Sequence, residues 1–238
     1  MTNFYDFNII PHEEIIENLE NFGFEGACIF YSSKDYLKKE LKNEFNEIKN
    51  STKLKLYHGV CIDEKNPELL RKDVQRHYGK VDLIMANGGD TKINRIISES
   101  PKIDIINKPY DNKKGNGINH VLAKFLLDNN ITVNINLCDI LEHRGFFRAR
   151  ILNQINEILM LQRKYPFRTI ISSGSKSFYD VKSPKSMILL NQIMDMDMTQ
   201  AKNNISTNPE EIIKNITLKK ESIIEGVRII NDKKEYSL

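Results

Sequence analysis

Three segments of the chain run from an apolar stretch straight into a cluster of cations, amides, hydroxyls and glycines: 81–95 (VDLIMANGGDTKINR), 132–150 (TVNINLCDILEHRGFFRAR) and 168–184 (RTIISSGSKSFYDVKSP). Ammonium, guanidinium, amide and hydroxyl groups are the donors that phosphate oxygens accept, and no segment sets a nucleophile beside a base. The chemistry these residue types suit is the holding of a phosphate-rich partner. In the first segment Gly88-Gly89-Asp90 ends the apolar run, with Lys92 and Arg95 just beyond. Paired glycines let backbone N–H groups approach an anion closely. Asp90 is expected to cap the following helix or orient Arg95, and an ordinary Gly-Gly-Asp turn with solvated cations is the plainer reading.

Residues 115–124 (GNGINHVLAK) read as a helix start. With Ile118, Val121, Leu122 and Phe125 toward the core, His120 falls on the far side, one turn before Lys124. It is expected to be exposed, where a phosphate docked on the helix N-terminus would meet it. In Arg144–Arg150, Arg144 and Arg148 lie a helical turn apart while Arg150 points elsewhere. Arginine forks suit bidentate phosphate contacts, and Phe146 and Phe147 either stack on unpaired bases or join the core. The loop Ser172–Ser177, with Ser173 and Lys176, offers hydroxyls around Gly174 without the longer frame of a Walker A loop. Asp180 and Lys182 beyond it could pair with each other.

The elements that must position these clusters alternate along 238 residues. Strands are expected at Phe4–Ile10, Ala27–Tyr31, Leu54–Ile62, Val81–Ala86, Ile103–Ile106, Thr132–Leu137 and Arg168–Ser172, with a weak last one near Asp195–Met198. Helical patterns separate them: one from Pro11 to Gly23, one opening at Ser32 and Asp35 with Leu37, Leu41, Phe45 and Ile48 on one stripe, and one capped by Asn66 with Pro67 in its first turn. Ser183-Pro184 and Asn208-Pro209 open later helices. Seven alternations without a Pro/Gly/Ser-rich linker argue for one α/β domain over 1–238, with a polar tail from about 228. The count fits a (β/α) TIM-like barrel that is irregular or lacks a regular last strand, and a doubly wound open sheet is the alternative. In a barrel the loops after the strands share one rim, so distant segments can build one surface.

Composition narrows the function classes. A charged fraction of 28% and a net charge of +3 place any nucleic-acid contact in local clusters rather than a global field. No apolar run approaches the ~20 residues that span a bilayer, and Met1–Ile10 is too short and mixed for a signal peptide, so a cytoplasmic protein without membrane partners is expected. Cys28, Cys61 and Cys138 are odd in number with no Cys-x-x-Cys spacing, which fits small buried thiols. The five histidines are scattered. Tyr5-Asp6-Phe7-Asn8 stands where metal-dependent barrel hydrolases of the polymerase-and-histidinol-phosphatase type carry a His-x-His pair, so a catalytic metal centre is not expected.

Taken in order, these residues resemble a family, archaeal ribonuclease P protein component 3. The likeness covers most of the chain and rests on Gly88-Gly89-Asp90 with Asn94-Arg95 and on Gly117-Ile118-Asn119-His120-Val121-Leu122-Ala123. It continues through Arg148-Ala149-Arg150 with Asn156, Arg163-Lys164-Tyr165, and Ser172-Ser173-Gly174 running to Tyr179-Asp180 and Ser183-Pro184. Asn87 departs from it, standing where an arginine is expected. The resemblance implies a barrel related in shape to those metal hydrolases, and a subunit of ribonuclease P that does no chemistry itself. It would bind no cofactor: Mg²⁺ sits on the catalytic RNA, which removes the 5′ leader of precursor tRNA, and this chain supports that RNA beside a small α/β subunit, as a heterotetramer, touching precursor tRNA indirectly. The positions it marks for RNA or subunit contact are Asn87, Asp90, Lys92, Arg95, Asn119, His120, Arg144, Arg148, Arg150, Ser173, Lys176, Asp180 and Lys182. A phosphate-binding or metal-dependent barrel hydrolase acting on a small molecule is the alternative, and a structural partner without RNA contact is a third reading.

Overall fold

The structure, a computed structural model, describes residues 2–36, 38–110, 115–224 and 227–228. Seven strands, β1 (Tyr5–Ile9), β2 (Gly26–Ser32), β3 (Lys55–Ile62), β4 (Leu83–Asn87), β5 (Ile105–Asn107), β6 (Thr132–Asn136) and β7 (Thr169–Ser172), pair in sequence order and all in parallel. Between them run α1 (Glu13–Asn21), α2 (Lys39–Ser51), α3 (Pro67–His77), α4 (Thr91–Ser98), α5 (His120–Asp128), α6 (Leu137–Glu142) and α7 (Gly145–Lys164). After β7 come α8 (Pro184–Asn191), α9 (Met198–Asn203) and α10 (Thr207–Glu221), then a short antiparallel pair, β8 (Ser222–Ile224) and β9 (Val227–Arg228).

Among the described residues this is a TIM-like barrel closed without an eighth barrel strand. The region near Asp195–Met198 forms no strand: Asp195 takes a left-handed conformation at φ 53° and Met198 opens α9. Closure comes instead from the turn between α9 and α10, whose Asn204 and Ile205 carbonyls accept the Ile171 and Tyr5 amides at 3.2 and 2.8 Å. One turn thereby satisfies backbone donors on both edge strands, which would otherwise stand unpaired. Higher in the same gap the Asp6 carboxylate accepts the Ser173 amide at 2.9 Å.

Two apolar layers hold the ring. Outside the strands, Ile29, Val60, Ile62, Ile84 and Ile135 pack against Leu19, Leu70, Ile97, Leu126 and Ile155 of the helices. Inside, Phe7, Phe30, Leu83, Met85 and Ile170 fill the lower lumen, and Ile212 and Ile216 of α10 close its floor. Strand alternation explains both, because every second side chain faces inward.

Local differences from expectation have identifiable causes. Asn66, with Pro67 behind it, caps α3 by accepting the Glu68 and Leu69 amides, and Ser183 caps α8, both as read from the sequence. Ser32 and Asp35 do not open α2: Ser32 ends β2, its carbonyl accepts the Asp35 and Tyr36 amides in a turn, and the Asp35 carboxylate binds Lys38. The sixth strand stops at Asn136, and Leu137 begins α6 without an intervening breaker. Leu37 and the tail beyond Arg228 lie outside the described residues.

Candidate functional site

The upper lumen is polar. β4, β5 and β6 each end on an inward asparagine, Asn87, Asn107 and Asn136, and Asn134 lies one pleat below the last. Their amides interlock. Asn107 Nδ2 donates to Asn87 Oδ1 at 2.7 Å, Asn136 Nδ2 donates to Asn107 Oδ1 at 3.0 Å, and Asn136 Oδ1 accepts from Asn8, Asn134 and the Ser172 hydroxyl at 2.7, 3.0 and 2.6 Å. Because buried amides are costly unless bonded, this ring is a fixed polar floor rather than a loose one. Burial pushes the Cys61 thiol up to about 12, so it stays protonated, and it donates to Asn87 Oδ1 at 3.4 Å.

Above the floor opens a cavity of about 480 Å³. Three ammonium groups, Lys65, Lys108 and Lys176, and one carboxylate, Asp63, stand among its lining side chains. Lys108 donates to Asp139 at 2.5 Å, and the Tyr110 hydroxyl donates to the other oxygen of that carboxylate at 2.8 Å. Lys65 reaches the Gly88 carbonyl at 3.3 Å, and Lys176 faces Glu142 at 3.6 Å.

The expected residues gather at this end of the barrel, but their backbone donors are already engaged. Gly88 N–H donates to the Asn107 carbonyl at 2.7 Å, and Gly89 N–H donates to Asn94 Oδ1 at 3.0 Å, so the glycine pair forms a braced turn and not an open anion nest. Asp90 caps α4, accepting the Lys92 and Ile93 amides, while Arg95 pairs with Glu99 at 2.8 Å. Asn119 caps α5 through the Val121 and Leu122 amides, which leaves exposed His120 without the open donors expected to hold a phosphate beside it. After β7, Asp180 accepts the Lys176 and Ser177 amides and the Ser177 hydroxyl. Lys182 does not ion-pair with that carboxylate: its ammonium donates to the Tyr179 and Asp180 carbonyls at 2.9 Å each. Buried Ser173 shares its hydroxyl with Ser175 at 2.5 Å.

Buried Asn94 ties two rim loops together. Its Nδ2 donates to the Pro109 and Gly117 carbonyls at 3.0 and 2.8 Å while its Oδ1 holds Gly89. Gly117, at φ 76°, has no alternative there, since a Cβ would lie 1.9 Å from the Pro109 oxygen.

Beside the mouth, the start of α7 forms an exposed lip. Phe146 and Phe147 are 76% and 56% exposed and meet edge to face, so neither joins the core. The Arg150 guanidinium lies 5.4 Å from the Phe147 ring centre, a cation–π arrangement. Arg148 clamps the Leu141 and His143 carbonyls at 3.1 and 2.7 Å, and Arg144 is exposed. Sequence reasoning did not single out Lys65, Lys108, Asn107, Asn134 or Asn136, and read Asn8 only as standing where a metal pair is missing. The readable signal was three strands that each finish on Asn. Among the described residues no three His, Cys, Asp or Glu side chains gather as metal ligands.

Comparison with known proteins agrees with this geometry. A family model described as RNase P subunit p30 matches residues 3–221. Ribonuclease P protein component 3 of Methanothermobacter thermautotrophicus is 29% identical over 238 residues, covering 97% of this chain and 96% of the relative. The protein of the same name from Methanococcus maripaludis is 31% identical over 229 residues, covering 95% and 97%. A chain of the cryo-EM structure of archaeal ribonuclease P with mature tRNA superposes with a TM-score of 0.85 at 29% identity, covering 97% of this chain and all of that one.

Proposed function

We infer, from a chain that belongs to the RNase P subunit p30 family, that this protein is a subunit of ribonuclease P and serves the 5′-end maturation of tRNA. The observation that carries the inference is the likeness, over 97% of the chain, to a chain of an archaeal ribonuclease P structure holding mature tRNA. The protein's part is to support the catalytic RNA. Cleavage of precursor tRNA belongs to that RNA and its Mg²⁺, with no cofactor on this chain, and a small α/β subunit is its partner in a heterotetramer. The cytoplasm is its place; among the described residues no helix is long and apolar enough to cross a membrane.

The rim supplies the contacts. Exposed Lys92, His120, Arg144 and Lys176, half-buried Arg150 and the Phe146–Phe147 lip offer cations and stacking faces to unpaired RNA, or an aromatic surface to the partner subunit. Asp90, Arg95, Asn119, Arg148, Ser173, Asp180 and Lys182 act mainly by shaping the loops that present them, while Asn87 faces the cavity itself. The hydrolase alternative is not favoured, because the family model over residues 3–221 and the likeness to a chain of archaeal ribonuclease P both support the subunit reading.

Reconstitution tests the reading. Adding this chain with its partner subunit to the cognate RNA should raise precursor-tRNA cleavage at low Mg²⁺. Unchanged cleavage over the whole Mg²⁺ range would overturn it.

A further inference from the structure

We propose that the barrel mouth is a binding pocket for one nucleotide unit, with its phosphate among Lys65, Lys108 and Lys176 and its heterocycle against the asparagine floor. The inference rests in part on the reading above, since RNA is one source of such a unit and a free nucleotide is the other.

Size and charge agree. A cavity of about 480 Å³ falls within the roughly 300–1,000 Å³ typical of small-ligand sites. Three ammonium groups line it, and although each faces a carboxylate, exposed Lys65 and Lys176 hold Asp63 and Glu142 only at 3.4 and 3.6 Å, surface pairs weak enough to give way to a phosphate. The neighbouring helix N-termini are capped by Asp90 and Asn119, so flexible lysine side chains are the main donors an anion would meet.

The floor has chemistry to spare. The amide ring engages Asn8 through Nδ2 and Asn87 through Oδ1, and among the described residues Asn8 Oδ1 and Asn87 Nδ2 have no hydrogen-bond partner. One free acceptor and one free donor therefore border the cavity, a set that suits the mixed donor–acceptor edge of a base or a ribose hydroxyl.

Backbone strain concentrates at the same place. Asn8 and Lys108 hold φ of 105° and 51°, a region L-residues seldom enter, and both line the cavity. The Asn8 distortion comes with a register shift between Phe7 and Ile9 against β2, and it turns the Asn8 amide onto Asn136. Distortion of this kind persists where surrounding structure enforces it, and it clusters at ligand sites.

The test is titration calorimetry of the full chain with each of the four nucleoside 5′-monophosphates and with inorganic phosphate, together with a photo-crosslink from 4-thiouridine-substituted ribonuclease P RNA in the reconstituted holoenzyme. Saturable binding of a monophosphate is expected, weakened about tenfold in Lys65→Ala/Lys176→Ala, whose side chains are exposed and leave the fold intact. Asn87→Ala should weaken the nucleotide while leaving inorganic phosphate unchanged. A crosslink at the mouth assigns the ligand to RNA, whereas nucleotide binding without a crosslink, in a holoenzyme that cleaves normally, assigns it to a free nucleotide. Neither binding nor crosslink in a holoenzyme that cleaves normally would overturn the pocket and leave the subunit reading standing; a holoenzyme indifferent to the wild-type chain would instead overturn that reading.

Discussion

The Asp6 carboxylate accepts the Ser173 amide at 2.9 Å across the gap between β1 and β7, where no strand ladder joins the barrel. Asp6 is fully buried and its second oxygen has no partner among the described residues. Burial raises its pKa, and the hydrogen bonds from Ser173 offset only part of that, so it is pushed up to about 6.

The sign of the pH effect follows. An aspartate that titrates near 4 when unfolded and near 6 when folded makes the folded state bind more protons in between, so stability falls as pH rises through that window. The loss is on the order of 2–3 kcal/mol by pH 7. Asp6→Asn keeps the shape and removes the charge. Thermal melts should show the variant more stable than wild type at pH 7 and little different at pH 4; equal melting at both values would contradict the assignment.

Asn94→Ala removes three hydrogen bonds from a fully buried brace and leaves the Gly89 amide and the Pro109 and Gly117 carbonyls without it. The expected cost is about 2–4 kcal/mol, given the penalty for stranding buried polar groups. Denaturant unfolding should report it as a lower midpoint, with proteolysis shifted toward the loops after β4 and β5.

Phe146→Ala/Phe147→Ala should separate function from folding. Both rings are mostly exposed, so stability should change by less than ~0.5 kcal/mol. Stacking on unpaired bases is worth roughly 1–3 kcal/mol per base. A gel shift of RNA with this chain and its partner subunit should therefore weaken by at least tenfold while the melting curve stays put.

Much of this architecture was legible because its signals are local. Asn66-Pro67 and Ser183-Pro184 marked helix starts through chemistry confined to one turn, and the 100° spacing placed His120 outward. Val121, counted among the inward residues, is 42% exposed, because the buried face of α5 runs through Leu122, Ala123 and Leu126 and Val121 lies off its edge. Barrel closure was not legible: the Asn204 and Ile205 carbonyls do a strand's work from a turn, and no periodicity records that. α6 was missed because Leu137 continues an apolar run that reads equally as strand. The asparagine floor was hidden for a different reason. Its members looked like ordinary strand ends until a closed ring brought Asn87, Asn107 and Asn136 face to face.

The claim on which the account turns is that the strands' C-terminal rim, and not the opposite end, meets RNA. The direct measurement is the salt dependence of RNA binding by the chain with its partner subunit, comparing Arg144→Ala/Lys176→Ala on the rim with Lys53→Ala/Lys102→Ala beside the strand beginnings. The rim pair should weaken binding and flatten the log–log salt slope by about 1–2, since each lost phosphate contact removes a little under one unit, while the opposite pair should leave both unchanged. Equal slopes for the two pairs, or a flatter slope only for Lys53→Ala/Lys102→Ala, would contradict it.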